Sequence, residues 1–405
     1  MQMRHLGLAT CVICVQGIAF GQSVRFEVAD LGRVPGYEYA TYPVGLNNHG
    51  DVVGFGHSGS MYKAFRWTAS TGMQVLPPVP GHESDSSTAT GINDLGEIIG
   101  FSGQDNGVDY IGWVYRNGQY TMLGSRAGFR GCKPLSINNS SEVIGRTTTI
   151  DFSYQVDSFV WSPTTGLQDG SPGIWAEAYA LNDLGVMVGG VRNSPPPFGM
   201  LAWNIRSNSQ TDLGAYPGGT NCLNFGTCIN NLGQVVGVSG CRMISRAVDG
   251  TMTDITPLML YPGAVWLNDN GWVLGTRPQS CSNGTCRGSI AWVRTSGAEV
   301  FDLDNALVGT SHSSIGTARV INNRNQIIAM ANGSGVDGSR RGVLLTPQSP
   351  PCAADFNADG VLDFFDYLDF VSVFSSGLVA ADFNHDSIID LFDYLDFVEA
   401  FAGGC

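Results

Sequence analysis

One ten-residue phrase returns along most of the chain, and a chain that repeats one unit must bury its apolar surface by stacking the copies. Gly91-Ile92-Asn93-Asp94-Leu95-Gly96-Glu97-Ile98-Ile99-Gly100 comes back as Ala180-Leu181-Asn182-Asp183-Leu184-Gly185-Val186-Met187-Val188-Gly189. The asparagines that mark the copies are Asn47, Asn93, Asn138, Asn182, Asn230, Asn268 and Asn322, separated by 46, 45, 44, 48, 38 and 54 residues. Seven units with a period of about 45 residues belong to propeller-type arrays.

Each copy has one internal plan. An apolar residue and Asn end a strand, a polar turn with Gly reverses the chain, and an apolar pair such as Val52-Val53 starts the next strand. A third strand follows as Ala64-Phe65-Arg66-Trp67, Gly112-Trp113-Val114-Tyr115 or Ser158-Phe159-Val160-Trp161, and a fourth often closes on Leu-Gly, as at Leu123-Gly124. Four short strands cannot keep one face dry alone, so neighbouring blades must stack and the ring must close. Val28-Ala29-Asp30-Leu31-Gly32 copies the fourth-strand ending before any full unit has begun. It is therefore expected to complete the last blade beside Gly342-Val343-Leu344-Leu345. The expectation is an all-β fold, a seven-bladed β-propeller over residues 22–346, with a six-bladed ring or an open solenoid as the alternative. The 54 glycines and the low charged fraction of 14% suit a turn-rich β fold.

The repeated Asn and Gly are read as turn residues, because both tolerate the backbone angles that hairpins demand. The repeated Trp and Phe are read as packing between blades, in preference to a sugar-stacking surface. These residues resemble the extracellular HAF repeats, whose units join an Ile-Asn-Asp-x-Gly-x-Val-Val-Gly hairpin to an Ala-Phe-x-Trp strand. The resemblance covers roughly residues 24–346 and implies secretion without implying a reaction. The seventh copy departs from it, with Arg324-Asn325 where Gly is expected and Ala329 in place of the closing Gly.

Arg4 and His5, the apolar run over residues 6–20 and the small-residue end Ala19-Phe20-Gly21 read as a cleaved signal peptide at residues 1–21. The apolar run is shorter than the roughly 20 residues of a spanning helix, so no membrane span is expected, and the protein is placed outside the cell or on its surface. Acidic residues outnumber Lys and Arg by 35 to 21 with no basic run, which excludes nucleic acid as a partner. Eight cysteines remain after the signal, an even number suited to an oxidising compartment. Cys281 and Cys286 flank a turn sequence and are expected to pair. Cys222 is expected to pair with Cys241 across an extended hairpin in the fifth copy, leaving Cys132 and Cys228 in different blades.

After a Pro-rich linker at residues 347–351, residues 352–405 contain eleven acids and no Lys or Arg. Asp355-Phe356-Asn357-Ala358-Asp359-Gly360-Val361-Leu362-Asp363-Phe364-Phe365-Asp366 recurs 27 residues later, from Asp382 to Asp393. Oxygen ligands at loop positions 1, 3, 5, 9 and 12 with a backbone carbonyl at 7 wrap one Ca²⁺. Asp355, Asn357, Asp359, Val361, Asp363 and Asp366 fill those places in the first loop. Asp382, Asn384, Asp386, Ile388, Asp390 and Asp393 fill them in the second, so two calcium ions are expected. Tyr367-Leu368-Asp369-Phe370-Val371 and its copy from Tyr394 then start helices with a shared apolar core. Asp at position 12 and one helix per loop make the segment similar to dockerins, EF-hand-like modules that attach secreted proteins to partners, and Gly404-Cys405 resembles the ending of one subgroup. That resemblance implies a cohesin-like or cell-envelope protein as partner, read by positions 10 and 11, which are Phe364, Phe365, Leu391 and Phe392. Cys352 and Cys405 bracket the module and are expected to clasp its two ends.

Two functions follow. In the first, the propeller binds a glycan or a protein and the C-terminal module anchors it, without catalysis. In the second, the chain is a secreted polysaccharide hydrolase or lyase, for which Glu38, Glu83, Asp85, Asp109 and Glu177, with His57 and His82, are the non-repeated candidates. No nucleophile motif such as Gly-x-Ser-x-Gly is present.

Overall fold

A computed structural model describes residues 24–103, 110–149, 156–170, 176–191, 199–217, 224–239, 242–256, 266–282, 285–308, 314–332, 340–348, 354–356, 362–384 and 388–403. The chain divides into two compact units, Phe26–Gln348 and one that contains Ser349–Cys405.

Seven sheets make up the first unit, six of them antiparallel and built from four consecutive strands each, and they form the expected seven-bladed propeller. Blade 1 is typical, with strands Ala40–Leu46, Val52–Ser58, Met61–Thr68 and Gly72–Val75. Blades 2 to 6 begin at Ser86, Phe129, Ala176, Phe225 and Trp266. Blade 7 takes Ser314–Ile321, Ile327–Asn332 and Arg341–Gln348 from the end of the array and Arg25–Asp30 from its beginning. The Leu31 amide donates to the Gly342 carbonyl at 3.1 Å, and Arg341 bonds Asp30 at 2.9 Å. The short strand Leu307–Val308 then runs parallel to the N-terminal strand and covers its outer edge, giving this blade five strands.

The repeated turn follows from Asn. In blade 1 the Asn47 Oδ1 accepts from the amides of His49 (3.1 Å) and Asp51 (2.9 Å), while Gly50 takes a φ of +87°. The departure in the seventh copy has a simple cause: Asn325 adopts φ +57° and stands in for the missing Gly.

The closing Gly of each motif has a separate role. Gly100 lies opposite Trp113, and a Cβ there would fall 2.3 Å from the Trp113 ring; Gly275 has the same relation to Trp292. In blade 7 the pair becomes Ala329 opposite Val343, a larger residue facing a smaller one. The repeated aromatics pack between blades, as expected. Trp113 shares a core with Val53 and Ala64 of blade 1, and Phe159 shares one with Ile99 and Val114 of blade 2.

In the second unit, helix α1 spans Phe364–Ser375 and α2 spans Leu391–Gly403. Asp363 caps α1 in a reciprocal box with Asp366, which starts the helix three residues before the apolar pattern does. The halves meet as pseudo-symmetric mates. The Phe370 and Phe397 rings stack at 3.9 Å, and the Tyr367 and Tyr394 hydroxyls bond at 2.9 Å. Among the described residues no helix is long and apolar enough to cross a membrane.

Candidate functional site

At one mouth of the propeller axis the seven Asn turns close into a ring. The Asn47 Nδ2 donates to the Asn93 carbonyl at 3.2 Å, and the same bond runs from Asn93 to Asn138, to Asn182, to Asn230, to Asn268, to Asn322 and back to Asn47 at 2.9 Å. The next residue in each copy builds a second ring, in the order Asn48, Asp94, Asn139, Asp183, Asn231, Asp269 and Asn323. Each backbone amide in it donates to the side-chain oxygen of the following blade at 2.7–2.9 Å. Each carboxylate has an amide neighbour on both sides; the Asp183 Oδ2 accepts from Asn139 at 3.1 Å and from Asn231 at 2.9 Å. Alternation keeps the three carboxylates apart. The well that they surround, about 180 Å³, is lined by groups that already satisfy one another. It is a closure device, and the sequence reading saw only its turn-forming half.

A second concavity, of about 350 Å³, lies where blades 1, 2 and 3 meet. It is lined by the aromatic residues Phe55, Tyr62, Phe101 and Tyr110, with Ser86, Thr88 and Lys133. Tyr42 stacks behind Phe55 at 4.9 Å, and His57 stacks on Tyr62 at 4.9 Å, so these rings are held from behind. Lys133 reaches from blade 3 over Tyr110 (3.6 Å to the ring centre) and Phe101 (4.9 Å). Burial, and then the nearby Arg146 guanidinium, lower its pKa from the ordinary lysine value. Cavities of this size with aromatic walls and a few convergent polar groups are the usual form of small-ligand sites. None of these residues was expected from sequence, apart from His57 behind the wall.

The catalytic candidates are held in local structure. Glu38 is exposed, 3.9 Å from Arg33, and its backbone pairs with that of His57. Glu83 accepts from the Gly81 amide at 2.9 Å, which lowers its pKa, and His82 bonds Asp85 at 2.9 Å in the same connection. Glu177 is buried on blade 4, bonded by the Tyr179 hydroxyl at 2.6 Å and 3.7 Å from Arg146. Asp109 lies outside the described residues.

In the C-terminal unit, Asp366 and Asp393 are fully buried, although residues 352–405 contain no Lys or Arg. The Asp393 carboxylate accepts from the amides of Asp390 (2.8 Å), Phe383 (2.7 Å) and Asn384 (3.2 Å), which hold its pKa below the ordinary value. Asp355, Asp363, Asp382, Asn384, Ile388 and Asp390 are also described, whereas Asn357, Asp359, Val361 and Asp386 lie outside the described residues. Among the described residues no group of three or more His, Cys, Asp or Glu forms a ready metal centre. The donor set is all oxygen, which fits a hard divalent cation, and two buried carboxylates without a basic neighbour in the segment have the chemistry that such a cation offsets. Phe364, Phe365, Leu391 and Phe392 are each 64–65% exposed, and Leu368 and Leu395 extend the same double patch.

Cys281 and Cys286 are register partners in the hairpin of Val273–Ser282 and Thr285–Arg294. Cys222, Cys241, Cys352 and Cys405, like residues 1–21, lie outside the described residues. Cys132 and Cys228 are free buried thiols in blades 3 and 5, and burial pushes both up to about 11.

No family model and no curated protein sequence matches the chain. Among solved structures, an oligogalacturonate lyase in complex with manganese aligns with TM-score 0.51 and 12% identity over 80% of this chain and 97% of its own. An oligogalacturonate lyase from Vibrio parahaemolyticus aligns with TM-score 0.45 and 9% identity, over 80% and 91% of the two chains. A gluconolactonase from Xanthomonas campestris reaches 0.39 and 12%, over 79% and 89%. At these identities the likeness is one of fold.

Proposed function

We propose that the chain is a secreted, non-enzymatic binding protein, in which the propeller recognises a glycan or protein and the C-terminal unit, folded around two calcium ions, anchors it to an envelope protein as a dockerin does. The observation that carries this reading is the exposed apolar pair Phe364-Phe365 with its mate Leu391-Phe392, placed at the start of each helix beside a buried carboxylate. With Leu368 and Leu395 the two pairs make six exposed large apolar side chains, a surface to be covered by another molecule. Asp355, Asn357, Asp359, Asp363 and Asp366, with the Val361 carbonyl, would hold one ion. The corresponding residues from Asp382 to Asp393 would hold the other. The ions supply charge compensation and fix the loops against the helices.

The test uses the full chain on beads, with envelope extract passed over it in calcium and after chelation. Calcium-dependent capture that is lost in the Phe365→Asp, Phe392→Asp double variant is expected; capture indifferent to both overturns the anchoring role. Polysaccharides passed over the same beads read the propeller. Retention without new chain ends is expected, while release of new ends replaces this reading with that of a carbohydrate-active enzyme.

A further inference from the structure

The cleft between blades 1, 2 and 3 carries a more specific chemistry than binding in general. Lys133 and Arg146 are direct register partners on neighbouring strands of blade 3, so two cations face one another across one ladder. Like charges opposed in this way destabilise a sheet. The arrangement stands out in a chain with only 21 Lys and Arg among 405 residues and a net charge of −14. Arg146 turns towards blade 4, where its guanidinium lies 5.0 Å from the Tyr179 ring and 3.7 Å from Glu177. Lys133 turns the other way and is held only by the faces of Tyr110 and Phe101, with no carboxylate partner among the described residues. A half-buried ammonium, fixed by two rings and facing a cleft, is a preformed seat for an anion.

The remaining walls define what carries that anion. Phe55 and Tyr62 meet edge to face at 5.6 Å, and Phe101 and Tyr110 do so at 5.1 Å, giving the cleft apolar ring faces on two sides. Such faces take the C–H surface of a pyranose ring, and Thr88 lines the same cleft beside Ser86, whose hydroxyl accepts from the Tyr62 amide at 3.1 Å and so holds that wall in place. We propose that this cleft binds a uronic-acid unit of an acidic polysaccharide, with the carboxylate on the Lys133 ammonium and the sugar ring against the aromatic walls. The proposal rests on reading the propeller as a recognition domain, and adds the ligand class and the residue that selects it.

Calorimetric titration of the full-length protein at low salt, with oligoglucuronate, a neutral glucose oligomer of equal length, and acetate as probes, tests it. The wild type is expected to bind the uronate at least tenfold more tightly than the neutral sugar, with acetate a poor competitor. Lys133→Met should lower uronate affinity to the neutral level and leave the neutral sugar within twofold. Lys133→Arg should keep most of the preference, and Tyr62→Ala should weaken both sugars alike. Melting curves identify any variant that has lost its fold, and the Lys133→Arg and Tyr62→Ala comparisons then decide. Equal affinity for charged and neutral sugars, unchanged uronate affinity in Lys133→Met, or acetate competing as well as uronate would each overturn the inference. Binding that ignores Lys133 removes this inference alone, whereas retention of no polysaccharide removes the recognition role as well.

Discussion

Asn182 separates two jobs that the repeated asparagine does at once. Its Oδ1 caps its own turn, accepting from the amides of Leu184 (3.1 Å) and Val186 (2.9 Å), and its Nδ2 latches the next blade by donating to the Asn230 carbonyl at 3.0 Å. Asn182→Ala removes three hydrogen bonds at a buried position, worth about 1 kcal/mol each, so a loss of about 3 kcal/mol is expected. Asn182→Asp keeps the cap but points an anionic oxygen at a carbonyl, next to Asp183. If the latch matters, the Asp variant is destabilised by about 2 kcal/mol or more; if only the turn matters, it is nearly neutral. The propeller unit, Phe26–Gln348, has an unfolding entropy on the order of 0.7 kcal/mol/K, so these losses correspond to drops in Tm of about 4 °C and 3 °C. Differential scanning calorimetry of the full chain at neutral pH reads both. An Asp variant melting within about 1 °C of wild type would refute the latch.

The inner ring predicts that Asn139→Asp, which would join Asp94 and Asp183 in a run of three adjacent carboxylates, costs about 2 kcal/mol at pH 7 and less as pH falls through the carboxylate range; a pH-independent cost in melting experiments would count against it. Cys132 and Cys228 ionise near 11 when folded against 9 when exposed, so the folded state is favoured in full below pH 9. Each thiol then withdraws about 1.4 kcal/mol per pH unit between 9 and 11, and neither should react with a thiol reagent at pH 8 until the chain is denatured; rapid native labelling would contradict this. Chelating calcium should raise the rate of chymotrypsin cleavage within residues 352–405 at least tenfold, a rate that stays level if the segment folds without metal. Trp113→Ala should cost about 3–5 kcal/mol in chemical denaturation, because the ring fills the space that Gly100 leaves open.

What was legible in the sequence was local. A hairpin is written in consecutive residues, so the Asn turn, the apolar pair after it and the period follow directly from the chain. Even the closing strand could be read, because residues 28–32 spell a fourth-strand ending with no blade before it. The latch could not, because its acceptor is a backbone carbonyl 38 to 54 residues away, or 275 where the ring closes, whose position depends on blades already being stacked. The aromatic cleft was missed for a related reason: Phe55, Phe101 and Lys133 come from three blades and share no motif. The pairing of Lys133 with Arg146 was hidden too, because a β-bulge between Pro134 and Ser136 shifts the register by one residue, where a regular hairpin would set Lys133 against Thr147. In the C-terminal unit the pattern of paired apolar residues predicted the core, while the Asp363 cap extended the first helix beyond it.

Blade 7 also determines how the ring meets mechanical load. The chain leaves the propeller through Arg341–Gln348, the middle strand of a five-stranded sheet, bonded on one side to Ile327–Asn332 and on the other to the strand from the N-terminus. A pull applied beyond Gln348 therefore acts on a strand that is held by two ladders, both of which must break before it comes free. An edge strand in the same place would peel away one bond at a time. A pull on the chain beyond Gln348 is thus borne by the earliest and latest segments of the propeller, which lie as neighbouring strands of one sheet.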